Sequence, residues 1–236
     1  MLKFLSRATA LIVLAATPAI AQDDVRPTVA VLPFVNSAIG DATAELAPLS
    51  KGIADLLITS LAQNTGIRVV ERENIQKLLD EQNLATAGRV EDATAARIGK
   101  LLGAKHMVTG SFITDRSGRM VITVKSIDTE TGRIEWSHME PGKTEDFLSI
   151  VHKVGETANK GLKLPELTPA ARQTSEARAE KQKKVPFAAV MMYSRAISAQ
   201  DAGNKAEAVS LFKQTVDKFP DFEDAKKALQ KIESGD

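Results

Sequence analysis

The 236 residues carry 31 Lys and Arg against 30 Asp and Glu, a formal net charge of +1, with 43% hydrophobic and only 4% aromatic residues. So even a balance gives no general attraction to nucleic acid or to an anionic membrane, and the core must be built from Leu, Ile, Val and Ala. No cysteine occurs, which argues against disulfides, thiolate zinc sites, a cysteine nucleophile and an acylated cysteine anchor.

Residues 1–21 read as an export leader: Lys3 and Arg7 supply positive charge, 8–16 an apolar core, and Ala19-Ile20-Ala21 a small-x-small cleavage site, so that Gln22 would begin the mature chain. Losing Lys3 and Arg7 turns the balance slightly acidic. No later run approaches the ~18 apolar residues of a membrane helix, so a soluble product without an integral membrane segment is expected. Residues 28–35, TVAVLPFV, are a continuous apolar run that predicts a strand buried on both faces, with Pro33 marking a bulge, an edge or the strand end. Ile53, Leu56, Leu57 and Leu61 form a helical stripe that Gly66 is expected to close, before a strand at 67–70.

Residues 69–111 are the most legible part. After Val69 and Val70, Ile75, Leu78 and Leu79 fall at i, i+3, i+4 spacing. Asp92 stands where an N-cap belongs, Ile98, Leu101 and Leu102 make a second stripe, and Gly103 ends it. Strands follow at 105–114, 119–127 and 133–139, joined by the Asp- and Gly-containing turns DRSGR and DTETGR of antiparallel hairpins. A helix over 145–161 places Phe147, Ile150, Val151, Val154 and Ala158 on one face. The predicted fold class is α/β (α+β): a mixed sheet flanked by helices over 22–164, followed by a small all-α module.

Pro165 and Pro169 interrupt the pattern, and 165–187 read as a solvated connecting helix or a flexible linker, with Lys181, Lys183 and Lys184 on its solvated face. Residues 188–236 resemble one tetratricopeptide repeat with a capping helix. Ala196, Gly203, Ala208, Phe212 and Pro220 occupy its small, turn, small, aromatic and terminating positions, while Arg195 and Ala199 depart from it. A single copy cannot bury its apolar face alone, so it must dock on the α/β domain, on another subunit or on a partner.

The runs VVERENIQKLLDEQNL and RIGKLLGAKHMVTGSF, followed by the hairpin RMVITVKSIDTETGRIEWS, resemble the CsgG family, named for the curli secretion protein of bacterial envelopes, and are similar in pattern to envelope domains of the LpoB and TolB type. The resemblance spans roughly 28–164 and implies an envelope location and partners among envelope or secretion proteins. One departure is Lys105-His106 after Gly103-Ala104, where many members place an acid and an aromatic. Family relatives are tethered lipoproteins; Gln22 in place of the lipidated cysteine implies a periplasmic, non-lipidated product. The curli protein also inserts two membrane-crossing hairpins, and neither the turn at 115–118 nor the link at 139–144 has room for one.

Catalytic chemistry is not announced. Nucleophile elbows, Walker loops and dinucleotide fingerprints are absent; Ser111 follows Gly110 but within a strand. His106, His138 and His152 lack metal-ligand spacing, although two of them could meet across the sheet. No enzyme, cofactor or metal site is expected. Candidate interaction residues are Arg72 and Glu73, at the carboxyl end of a strand where open α/β sheets place ligands or simply where a helix starts, and Tyr193, with Met192 assigned to the core. The expected function is a non-enzymatic interaction protein of the periplasm, alternatively a component of a curli-type secretion assembly; a homo-oligomer is compatible with either.

Overall fold

A parallel half and an antiparallel half share one sheet in the computed structural model, which describes residues 25–40, 42–84, 90–115 and 117–235. The expected leader, with Ala19, Ala21 and Gln22, lies outside the described residues. In chain order the α/β unit comprises β1 (Thr28–Val31), β2 (Val35–Asn36), α1 (Ala42–Glu45), α2 (Leu49–Leu61), β3 (Arg68–Val69), α3 (Arg72–Glu81), α4 (Asp92–Leu101), β4 (His106–Thr114), β5 (Arg119–Asp128), β6 (Ile134–Lys143) and, after a single 3-10 turn at Thr144–Asp146, α5 (Phe147–Gly161). The strands run in the order β3-β1-β4-β5-β6, with β2 beside β4. β1 is parallel to β3 and β4, and β4, β5 and β6 are antiparallel to one another.

β1 is buried throughout, as a continuous apolar run requires of a central parallel strand. It stops before Pro33, which has no N–H for the ladder, and the chain resumes alongside β4 as β2, Val35 opposite Ser111. The pleat sets Met107 and Met120 on opposite faces of the sheet. α4 covers the Met107 face and α5 the other, where Ile150 sits against Gly142, the residue opposite Met120. α2 is buried nearly all round, because it lies among the sheet, α5 and a later helix.

Four expectations change in detail. α2 ends at Leu61, well short of Gly66, whose N–H instead donates to Asn64 Oδ1 at 3.0 Å in the following turn. In α4 the buried residues are Ala95, Ala96, Ile98 and Gly99, while Leu101 is 60% exposed. Small residues let this helix approach Met107 and Thr129 closely, so the large leucine is turned away. Asp92 is the first helical residue rather than the cap, and its carboxylate takes Lys125 Nζ at 2.5 Å. The segment expected to link 139 to 144 is strand: β6 runs on to Lys143 and tolerates Pro141 because it is an edge. β4 ends at Thr114 and β5 starts at Arg119, so that junction is a tight turn.

The carboxyl-terminal part is α6 (Pro169–Gln182), α7 (Phe187–Asp201), α8 (Lys205–Lys218) and α9 (Glu223–Ser234). Of the two forms open for 165–187, a helix is what forms: Thr168 Oγ1 accepts the Ala171 N–H at 3.2 Å and Pro169 takes the first helical position. α7 packs along α2. At their crossing Gly52 is required, since a Cβ there would overlap the Ser194 hydroxyl. Ala196, Ala208 and Phe212 are fully buried between α7 and α8, and Gly203 takes φ 78° in the turn joining them. Apolar packing is continuous from the sheet into these helices. Met191 fills the core position and Met192, expected there, is half-buried. Among the described residues no helix is long and apolar enough to cross a membrane.

Candidate functional site

The three candidate residues come together, but they face inward. Arg72 opens α3 beneath α2, where its Nε donates to Asp55 Oδ1 at 3.0 Å and its Nη2 to Glu73 Oε1 at 3.2 Å. Nη1 pairs with Asp201 at the end of α7. Lys51 on α2 reaches the other oxygen of Asp201 at 2.9 Å. Tyr193 rises from α7 and donates its hydroxyl to Asp55 Oδ2. Its ring is wedged between Phe212 and Phe222, with centroids 5.7 and 5.2 Å away at tilted angles. Lys231 on α9 closes the rim on Glu71 at 2.8 Å and Glu73 at 3.3 Å.

Tyr193 is 2% exposed, so the expectation that it contacts a partner is corrected: its ring belongs to the seam that joins α7, α8 and α9 to α2. Arg72, at 7% exposure, likewise offers no surface. Glu73 stays partly exposed at the edge of the same network. The electrostatics follow from this enclosure. Burial pushes the Asp55 carboxyl up, opposed by the Arg72 charge and the Tyr193 hydroxyl. Burial, then the Asp55 charge, drive the Tyr193 phenol well above its ordinary range. Burial, the largest single influence, works to raise Glu73, but Arg72, its own backbone N–H and Lys231 together outweigh it, leaving it below the usual range. Asp55 and Asp201 were not singled out from sequence. Asp55 had a signal: an acid between Ile53 and Leu56-Leu57 on a helix buried nearly all round needs a cationic partner.

The histidines do not converge. His106 Nδ1 lies 2.6 Å from Glu135 Oε1, and Ser126 Oγ donates to the same oxygen at 2.9 Å. A bulge in the β5–β6 pairing admits Glu135 opposite Ser126 and Ile127. His138 stacks on Trp136 and bonds Glu140, while His152 meets Ser175. Among the described residues no group of three or more His, Cys, Asp or Glu is placed to hold a metal ion. Ser111 sits mid-strand, opposite Thr123.

What the chain turns outward is different in kind. On the Met107 face, beyond the reach of α4, two rows cross the antiparallel strands: Ile113 opposite Val121 opposite Pro141, and Ser111 opposite Thr123 opposite Met139. Ile113 is 44% and Met139 61% exposed, and Val121 is half-buried between them. The adjacent edge is guarded. The Thr144 N–H donates to Gly118 C=O at 2.8 Å, so even-numbered residues of this ladder bond inward to β5 and odd-numbered ones face out. Pro141 therefore removes a donor from the free edge, and Lys143 adds a charge there.

These features define a mixed α/β domain extended by a docked helical layer, with an open apolar sheet face and no convergent catalytic cluster among the described residues. The family model for "Curli production assembly/transport component CsgG" matches residues 9–117. No curated protein matches the chain. Among solved structures it is similar to the LpoB C-terminal domain from Salmonella enterica, at 16% identity and TM-score 0.37 over 51% of this chain and 87% of that one. Lipoprotein GNA1162 from Neisseria meningitidis matches at 12% identity and TM-score 0.37 over 49% and 79%. A PelC dodecamer from Paraburkholderia phytofirmans matches at 14% and 0.34 over 60% and 90%.

Proposed function

We propose that this protein is a non-enzymatic recognition component of the bacterial envelope, exported to the periplasm without lipidation, in which a CsgG-type α/β domain carries a tetratricopeptide-like helical module. The observation that carries this reading is the outward sheet face on which Ile113, Val121 and Pro141 lie in register across three strands, with the exposed Met139 in the next row. The conspicuous charged groups are spent on internal pairs, so recognition falls to a contiguous apolar surface, of the kind that marks a protein contact. Because Pro141 and Lys143 guard the edge, the partner lies on the face rather than adding a strand. Envelope placement is supported by the CsgG family match and by the leader-like residues 1–21.

A photo-reactive amino acid at position 139, introduced in living cells, is expected to cross-link a discrete envelope protein, and Ile113→Asp to abolish the adduct while the thermal melt is unchanged. Absence of any adduct, together with turnover of a small substrate by the purified protein, would overturn the proposal. Retention in the membrane fraction after a high-salt wash would instead favour a curli-type secretion assembly.

A further inference from the structure

β1 is the strand at which the chain changes direction across the sheet. It leaves β1 for β3 on one side through α2, and comes back past β1 through α3 and α4 to reach β4 on the other. α2 packs with α5 while α4 covers the opposite face, so the connections diverge around β1. The crevice beyond the carboxyl end of such a strand is where open α/β sheets hold ligands.

A cleft of about 840 Å³ occupies that position. The turn out of β1, from Pro33 to Val35, forms one wall and Leu79, Leu84 and Val90 another, while Ser198 of α7 contributes from the docked helical layer. The volume lies within the ~300–1,000 Å³ of ligand pockets. Two polar side chains in this largely apolar lining are more than nine-tenths buried. Thr109 is 7% exposed, and its hydroxyl has no hydrogen-bond partner among the described residues. That hydroxyl is not sealed in the interior, so it opens on the cleft. Gln76 is 8% exposed, and its amide N–H goes to Asp80 Oδ1 at 2.8 Å, which leaves its carbonyl oxygen to accept. A molecule that displaces water from these two groups must hydrogen-bond in its place.

Charge is not what the cleft offers. Among the described residues Lys51 is the one charged member of the lining, and its ammonium already pairs with Asp201 at 2.9 Å. Arg72 takes the other oxygen of Asp201 and also Asp55, so the four groups cancel. An ion of either sign would be desolvated there without a free counter-charge.

We propose that this cleft binds a neutral, mainly apolar small molecule carrying a hydrogen-bond donor, which Gln76 and Thr109 orient between the end of β1 and α7. None of Ile113, Val121, Met139 and Pro141 lines it, so its failure would leave the envelope reading standing.

The test uses the full mature chain and N-phenylnaphthylamine, a neutral apolar fluorophore with a single N–H, against anilinonaphthalenesulfonate, the same skeleton bearing a charge. The neutral probe should bind saturably, and the sulfonate at least about ten-fold more weakly. Thr109→Val keeps the shape and removes the hydroxyl, and should weaken the neutral probe about three- to ten-fold. Ala47, exposed in the turn before α2, also lines the cleft. Ala47→Trp should fill it from the rim and abolish binding with Tm unchanged, so the loss cannot be assigned to unfolding. Ile113→Asp should bind as the native protein does. No saturable binding, equal binding of the sulfonate, or binding that survives Ala47→Trp would overturn the proposal. Loss of binding in Ile113→Asp would do so too, by putting the probe on the outer sheet face.

Discussion

Arg72→Ala tests whether the buried charges hold the carboxyl-terminal helices on the α/β domain. The guanidinium is 8% exposed and serves Asp55 on α2 and Asp201 on α7, whose side chains are 17% and 4% exposed. Removing it strands two carboxylates in a poorly solvated seam. Breaking a buried pair from one side costs about 3–5 kcal/mol, against less than ~1 kcal/mol for an exposed pair. Lys51 remains on Asp201 and Tyr193 on Asp55, which places the expectation at the lower end, about 3 kcal/mol. With a urea dependence of about 2–3 kcal/mol per molar, the unfolding midpoint should fall by about 1–1.5 M. Asp201→Asn on the Arg72→Ala background should recover part of the loss, giving a coupling energy above ~1 kcal/mol in a double-mutant cycle. A loss under ~1 kcal/mol with additive variants would refute the reasoning and make the seam an apolar contact with incidental charges.

Tyr193→Phe keeps the ring between Phe212 and Phe222 but strips Asp55 of a donor, so chemical denaturation should show a loss of about 1–2 kcal/mol. An unchanged stability combined with lost partner capture would return Tyr193 to a surface role. Gly52→Val drives a side chain into Ser194 and should cost at least about 2 kcal/mol, with limited proteolysis cutting preferentially between α6 and α7. Uniform resistance to protease would count against close α2–α7 packing. Burial works to raise the Glu140 carboxyl, but hydrogen bonds from Lys153 and His138 hold it below its ordinary 4.5. Its stabilisation is therefore present above the unfolded value and lost as pH falls through the lower folded one. The gap between native and Glu140→Gln in urea midpoint should thus shrink from neutral pH to about pH 3, and a constant gap would exclude the linkage.

The parallel core was legible because burial on both faces makes β1 an unbroken apolar run, which little else of that length produces. Hairpins were legible from turn chemistry, and α3 and α5 from apolar spacing. The α4 face was misjudged for a physical reason: periodicity weights large side chains, whereas close helix-on-sheet approach selects small ones such as Ala95 and Gly99. The candidate residues show a similar limit. Arg72, Glu73 and Tyr193 were picked as polar or amphipathic groups suited to contacts, and they do make contacts, to their own chain. Nothing local to Tyr193 reveals that its partner is Asp55, 138 positions away.

The seam also explains how α7 and α8 are held on the α/β domain. α7 presents Ala189, Val190, Ile197 and Tyr193 to the interior, an apolar load that stacked neighbours would otherwise cover. α2 takes that place, and α6 ties the far side through Arg178 and Gln182 to Asp224 in the first turn of α9. Apolar packing alone would tolerate α7 sliding by a turn along α2, since leucine and isoleucine recur there. The charges do not. Arg72 meets Asp201 only when the end of α7 reaches the start of α3, and Asp55 meets Tyr193 only in the same register. A slip would bury unpaired carboxylates at several kcal/mol, so the polar residues select the docking that the apolar ones stabilise. Fixing that register leaves Ile113 and Met139, at the antiparallel end of the sheet, exposed.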